Sequence, residues 1–262
     1  MKLLSRTVDD LQIEDESSFR SIEHYAILKE ILRCAGYKFR CLTSGNAGRW
    51  DRALFLNLTF WGGGDGDILV DPVLSADVVA HVAWHHVTQR ALDRMGVARS
   101  TDALFFAEAI ASAYDVYLIG RLLGRAKRSS FLRTQVTAMA DATRAAGLGA
   151  KGFAALLQGI AEDPAQAFED LRGLLFAAST SLMAARNAEA AHHVLCKLEG
   201  HRFAALLHHY ELSTWILYAR AYASESAAPV PAIRKLDRRL AKSPSAIEEL
   251  MTMWCAPLLA KR

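Results

Sequence analysis

The chain has 262 residues, 52% of them hydrophobic, enough apolar side chain to bury a full core without disulfides or a structural metal. Its 31 basic and 28 acidic residues are interspersed and leave a formal charge of +3, so a nucleic-acid-binding surface is not expected. The four cysteines, Cys34, Cys41, Cys196 and Cys255, form no C-x-x-C pair, which argues against a disulfide framework and for reduced thiols in a cytoplasmic protein.

Length suggests one or two domains. The N-terminus has one short apolar run before it turns acidic, which is not the pattern of a signal peptide. No apolar stretch is expected to reach the ~20 residues that span a bilayer. The most basic stretches, Arg121–Arg128 and Arg234–Lys242, fit solvated helix faces or C-terminal turns, where positive charge complements the helix dipole.

Asp15–Ser18 supplies a helix start, and Phe19 to about Ala35 reads as an amphipathic helix stopped by Gly36. Ile22, Tyr25, Ala26, Leu28, Ile31 and Leu32 form its apolar side, which leaves Glu23 and His24 on a solvated surface. The texture then changes. Tyr37–Leu42 alternates, Ala53–Trp61 is rich in β-formers and aromatics, and Asp67–Asp71 is a short apolar run. Turn-rich Ser44–Gly48 and Gly62–Asp67 separate them, so a small three-stranded antiparallel sheet is expected. The glycines from Gly62 to Gly66 lack the G-x-x-x-x-G-K pattern and do not lead from a strand into a helix, so they read as a hairpin loop rather than a phosphate cradle.

From Ser75 onward the pattern is helical. Ser75 is the expected cap of a helix over Asp77–Met95 that Gly96 ends, and Ser100 or Thr101 caps the next, which runs to about Leu123 with Gly124 as its stop. Further helices are expected at about Ser130–Ala146, Ala150–Glu162, Ala165–Arg186, Ala188–Ala223, Pro231–Ala241 and Pro244–Met253. Gly200 is a candidate break in the longest of these, and Ser224–Pro231 a candidate hinge. The fold class is therefore α+β, mostly α.

One constellation carries chemistry. His81 and His85 are four residues apart, a spacing that stacks both imidazoles on one helix face within reach of a single ion. From His85 to Met95 the helix rises about 15 Å, and from Thr101 to Glu108 the next rises about 10 Å. Antiparallel packing thus returns Glu108 to the level of His85–Gln89 as a third ligand. Asp115, on the same face as Glu108, falls nearer His81 and can orient a ligand histidine through its second ring nitrogen.

These two segments, Val78–Thr88 (VVAHVAWHHVT) and Phe106–Tyr114 (FAEAIASAY), resemble the active-site helices of the gluzincin metallopeptidases, the group of thermolysin and the zinc aminopeptidases. The resemblance implies that His81, His85 and Glu108 are zinc ligands. It also implies that residues 1–128 form a zincin-like α+β part, with the helical residues 129–262 packed on it or merged into one domain with it. Where the family places its general base, directly after the first histidine, this chain has Val82, which cannot accept a proton. His86 lies about 100° around the helix from His85 and is poorly placed to replace it.

Two histidines and a carboxylate also describe non-haem iron sites, so iron or manganese are alternatives to zinc. The expected function is a metal-binding protein of metallopeptidase-like fold without the peptidase base, with a non-peptidase metalloenzyme acting on a small molecule or peptide as one form of it. The alternative is a non-catalytic protein-interaction module on a degenerate peptidase scaffold. His192, His193, His201, His208 and His209 read as surface or boundary histidines, with His201 and His208 on one face if the helix is unbroken at Gly200. Trp215 and Tyr218 read as core. Ser112 and Ser213 lack a nucleophile elbow.

Overall fold

The computed structural model describes residues 3–43, 68–222 and 229–260. The chain begins with β1 (Leu3–Arg6), β2 (Gln12–Glu14), the short α1 (Glu16–Phe19) and α2 (Glu23–Cys34), which ends at Gly36 with φ of 58°. After β3 (Phe39–Leu42), β4 (Ile68–Leu69) and β5 (Val73–Ser75), the described residues are helical. The mostly-α α+β class is as the sequence pattern predicts.

The strands pair differently from expectation. β1 runs antiparallel to β3, with Leu3 opposite Leu42 and Arg6 opposite Phe39, whereas β3 and β4 are parallel. β2 and β5 form a separate parallel pair. The sheet is mixed, not antiparallel. Residues 43–67 lie between β3 and β4, a connection long enough for the crossover that parallel neighbours require. Ala53–Trp61, Ser44–Gly48 and the Gly62–Gly66 loop fall outside the described residues.

The two long helices that follow are set by local signals. α3 (Ala76–Arg94) starts after Ser75 and closes at Gly96 (φ 67°), where Val97 N–H donates to Leu92 C=O at 3.0 Å. The Ser75 hydroxyl makes no capping bond. α4 (Thr101–Leu122) is capped by Ser100, whose hydroxyl accepts from Ala103 N–H at 3.2 Å, and ends before Gly124 (φ 75°). Then come α5 (Ser130–Ala145), α6 (Ala150–Glu162), α7 (Pro164–Ala184) and α8 (Ala188–Leu198). A 3-10 turn at Ala204–Tyr210 leads to α9 (Leu212–Tyr222), and α10 (Pro231–Leu240) follows. The chain closes with α11 (Ala246–Leu250), a π-helical turn over Met251–Cys255, and α12 (Ala256–Leu259). Pro257, which lacks the N–H for a regular helical bond, lies two residues past the end of the π turn.

α4 is the centre of the molecule, packed by α3 on one side and α7 on another. Its 22 residues, with a mean hydropathy of 1.4 in the relevant window, are long and apolar enough to cross a membrane by length and composition. The expectation that no stretch reaches that length therefore fails. That window is 78% buried inside the protein, the pattern of a core helix apolar on all sides.

Three polar ties hold the periphery to this centre. Asp102 accepts from Arg234 Nε and Nη2 and from Val230 N–H, each at 2.9 Å, which fastens α10 to the first turn of α4. Arg172 of α7 is fully buried between Glu169, at 2.6 Å, and Asp237, at 2.9 Å, with its guanidinium 5.4 Å from the Phe106 ring centroid. Asp15, in the left-handed region at φ of 58°, accepts from Ser129 Oγ at 2.6 Å and from Phe131 N–H at 3.1 Å, joining the N-terminal strands to α5.

Gly120 of α4 sits where α6 meets α7. A Cβ there would lie 2.5 Å from Ile160 C=O and 2.9 Å from the Pro164 ring. Gly120→Ala is therefore expected to destabilise the fold. Overpacking costs about 1–3 kcal/mol, against at most about 1 kcal/mol returned by helix propensity. Urea unfolding midpoints of the two proteins check it; an unchanged or raised midpoint would show that the helices separate without cost.

Candidate metal centre

α3 and α4 pack side by side, and each contributes to one polar cluster within an apolar seam. His81, His85 and Thr88 fall on one stripe of α3, while Glu108 and Asp115 fall on one stripe of α4. The neighbours Val82, Ala83, Trp84 and Val87 on α3 and Ala109, Ile110 and Ala111 on α4 are all buried, and the contacts of His85 with Glu108 and of His81 with Asp115 show that the two stripes face each other.

The outcome is convergence. His85 Nε2 lies 3.1 Å from His81 Nε2 and 3.6 Å from Glu108 Oε1. One ligand atom from each of His81, His85 and Glu108 falls within 4.8 Å of the others. Two ligands about 2.0–2.1 Å from a tetrahedral ion stand roughly 3.3 Å apart. The two contacts of His85 bracket that value, and the donor set of two imidazoles and a carboxylate has the chemistry of a divalent-cation site. On the far side of His81, Nδ1 lies 3.9 Å from Asp115 Oδ2, longer than a hydrogen bond but close enough to bias the ring.

Burial sets the electrostatics. It holds His81 well below the ordinary imidazole range, with the neighbouring His85 adding to the effect, and it brings His85 down to about 4. Burial likewise pushes Glu108 up to about 8 and raises Asp115 well above its ordinary value, with the Asp77 carboxylate adding to the latter. The imidazoles are thus neutral, as ligation requires. Glu108 is 4% exposed, and among the described residues no lysine or arginine pairs with it. A buried carboxylate in that position is satisfied by a proton or by a cation.

The other sequence-based expectations divide. His86 is not at the cluster; its ring meets Tyr37 edge-on at 5.6 Å, and burial, with Arg90 adding to it, lowers it to about 4. Val82 is 4% exposed and presents no polar atom. His24 is a correction: it is 7% exposed, stacked on Tyr117 at 5.3 Å and bound to Glu248 at 3.0 Å. His201 and His208 do not share a helix, because the chain leaves helix after Leu198 and His208 belongs to the 3-10 turn. Trp215 is core and Tyr218 half-buried.

Sequence reasoning missed three neighbours of the cluster. Asp77, four residues before His81, is in the electrostatic field of Asp115, and the D-x-x-x-H-x-x-x-H spacing could have shown it. Thr88 is fully buried with no hydrogen-bond partner for its hydroxyl among the described residues. Tyr210 is raised well above its ordinary range by burial and by the Asp115 carboxylate, and it arrives from the 3-10 turn with no sequence signal. Comparison with protein-family models, curated proteins and solved structures finds no match to this chain.

The direction of these shifts sets the proton balance of binding. In chelator-treated protein at pH 7 Glu108 holds its proton, since its pKa of about 8 lies above the pH, while His85, at about 4, holds none. A divalent ion should therefore expel roughly one proton per site near neutrality, fading as the pH rises above about 8. Calorimetric titration in buffers of differing ionisation enthalpy reads this number. Glu108→Gln should abolish the release, and equal release by that variant would assign the proton elsewhere.

Proposed function

We propose that this chain is a metal-binding protein whose ion is held by His81, His85 and Glu108, with Asp115 as the residue that positions His81. The convergence of those three ligand atoms within 4.8 Å carries the reading. Zinc is the first choice for a compact set of two imidazoles and one carboxylate, and iron or manganese suit the same ligands. The ion would supply Lewis-acid polarisation of an oxygen-bearing group.

The chain's own residues limit the chemistry. The likeness of α3 and α4 to gluzincin active-site helices supports a hydrolase-like ancestry, but Val82 is buried and apolar at the position of the family's base. His86 is turned to Tyr37. Neither can move a proton at the cluster, so ordinary peptide hydrolysis is not supported. A non-peptidase metalloenzyme is the reading we favour, with Asp115, whose carboxyl is raised by burial well above its ordinary range, as the acid–base group beside His81. The same loss at Val82 favours, as a second reading, a non-catalytic module that uses the scaffold to engage another protein.

Purified protein, or protein reconstituted with zinc, iron(II) or manganese(II), should carry about one ion per chain at this site. His81→Ala and His85→Ala should each lose it. Ion at 100 times its dissociation constant should add about 2.7 kcal/mol to the stability of the unmodified protein, and none through this site to the variants. Elemental analysis and thermal unfolding decide. Less than about a tenth of an equivalent of every ion after reconstitution would refute the site, and robust peptide cleavage lost in His81→Ala would refute the reading of Val82.

A further inference from the structure

α8 packs against α7 through Leu195 and Leu198, and none of its residues is fully buried. At about 100° per residue, its outward side gathers Glu189, His192, His193, Cys196 and Glu199 within an arc of about 120°. All five are exposed, and each is of a type that binds metal ions. Two of them already touch: His192 Nε2 lies 3.5 Å from Cys196 Sγ, one helical turn on. A sulfur about 2.3 Å and a nitrogen about 2.0–2.1 Å from a tetrahedral zinc stand roughly 3.5 Å apart.

We propose that this face of α8 is a second metal site, in which His192 Nε2 and the Cys196 thiolate hold a zinc-class divalent ion and water fills its remaining positions. Binding exchanges the thiol proton for the metal–sulfur bond, and the proton leaves to solvent. The site differs from the α3–α4 cluster in kind. It contains sulfur, it is open to water, and it uses one helix alone, so it favours softer ions and exchanges them readily. The other exposed thiol, Cys34, touches the Glu30 carboxylate at 3.1 Å. Cys41 and Cys255 are buried.

The difference in ligands makes the two sites separable. Cobalt(II) bound to a thiolate gives an intense near-ultraviolet sulfur-to-metal band, which a site of two imidazoles and a carboxylate cannot give. Reduced full-length protein carrying Cys34→Ser, titrated with cobalt(II), should develop this band and saturate at about one sulfur-bound ion. Cys196→Ser should abolish it. His192→Ala should weaken binding by at least the roughly tenfold that even an outer-shell partner is worth, and His81→Ala/His85→Ala should leave the band unchanged. Absence of the band, or its persistence in Cys196→Ser, would overturn the proposal without bearing on the buried cluster. A band that is lost in Cys196→Ser but indifferent to His192→Ala would overturn the pairing of the two side chains.

Discussion

Burial of α4 on nearly all its faces is the constraint from which the rest of the architecture follows. A helix surrounded by protein satisfies its backbone internally, but an acidic side chain buried on it needs a partner on another element or a proton. α4 carries three carboxylates, and each has a different solution. Asp102 binds Arg234 and the Val230 N–H, which docks α10. Glu108 meets His85, and Asp115 approaches His81, both on α3. The first solution is a structural ion pair with a permanent cation. The other two face imidazoles that burial keeps neutral, and among the described residues neither pairs with a lysine or arginine. That contrast separates a tie that holds the fold from a cluster suited to an ion.

The cluster is held by a rigid surround. Trp84, next to His85, meets Tyr114 edge-on at 5.6 Å, and Tyr114, next to Asp115, stacks on Tyr117 at 5.4 Å. Tyr117 in turn stacks on His24 of α2. This run of rings crosses α3, α4 and α2 and fixes their relative rotation, which decides where the ligand side chains point. The Trp84 Nε1 and Tyr114 Oη atoms are buried without hydrogen-bond partners among the described residues. Such groups cost stability, so the rings are retained for shape and packing area despite their polar atoms.

How much of this was legible depended on the range of the interaction. Ser100, Gly96 and Gly124 mark helix ends through contacts within one turn, and their positions could be read directly. The histidine pair and Glu108 were readable for a related reason: helical periodicity fixes which residues share a stripe, and a short connection makes neighbouring helices antiparallel. β1 and β2 were missed because strands of three or four residues carry too little alternation. The direction of β3 against β4 is a property of the connection and not of either strand. His24 was misread because the faces that bury it, Tyr117 and Glu248, are supplied by distant parts of the chain. Tyr210 enters through an irregular turn after Gly200, where no period operates.

The same division by range distinguishes the two metal-type clusters. His192 and Cys196 owe their contact to one turn of one helix, so it survives any change that leaves α8 helical. His81, His85 and Glu108 require two helices in register, which in turn requires the ring contact between Trp84 of α3 and Tyr114 of α4. A site built within one helix can be reached and emptied without disturbing the core. One built between two buried helices ties occupancy to the packing of the whole centre, because a ligand that binds only the folded arrangement stabilises that arrangement. The buried cluster is therefore coupled to global stability, whereas the cluster on α8 is coupled only to a helix that no buried residue anchors.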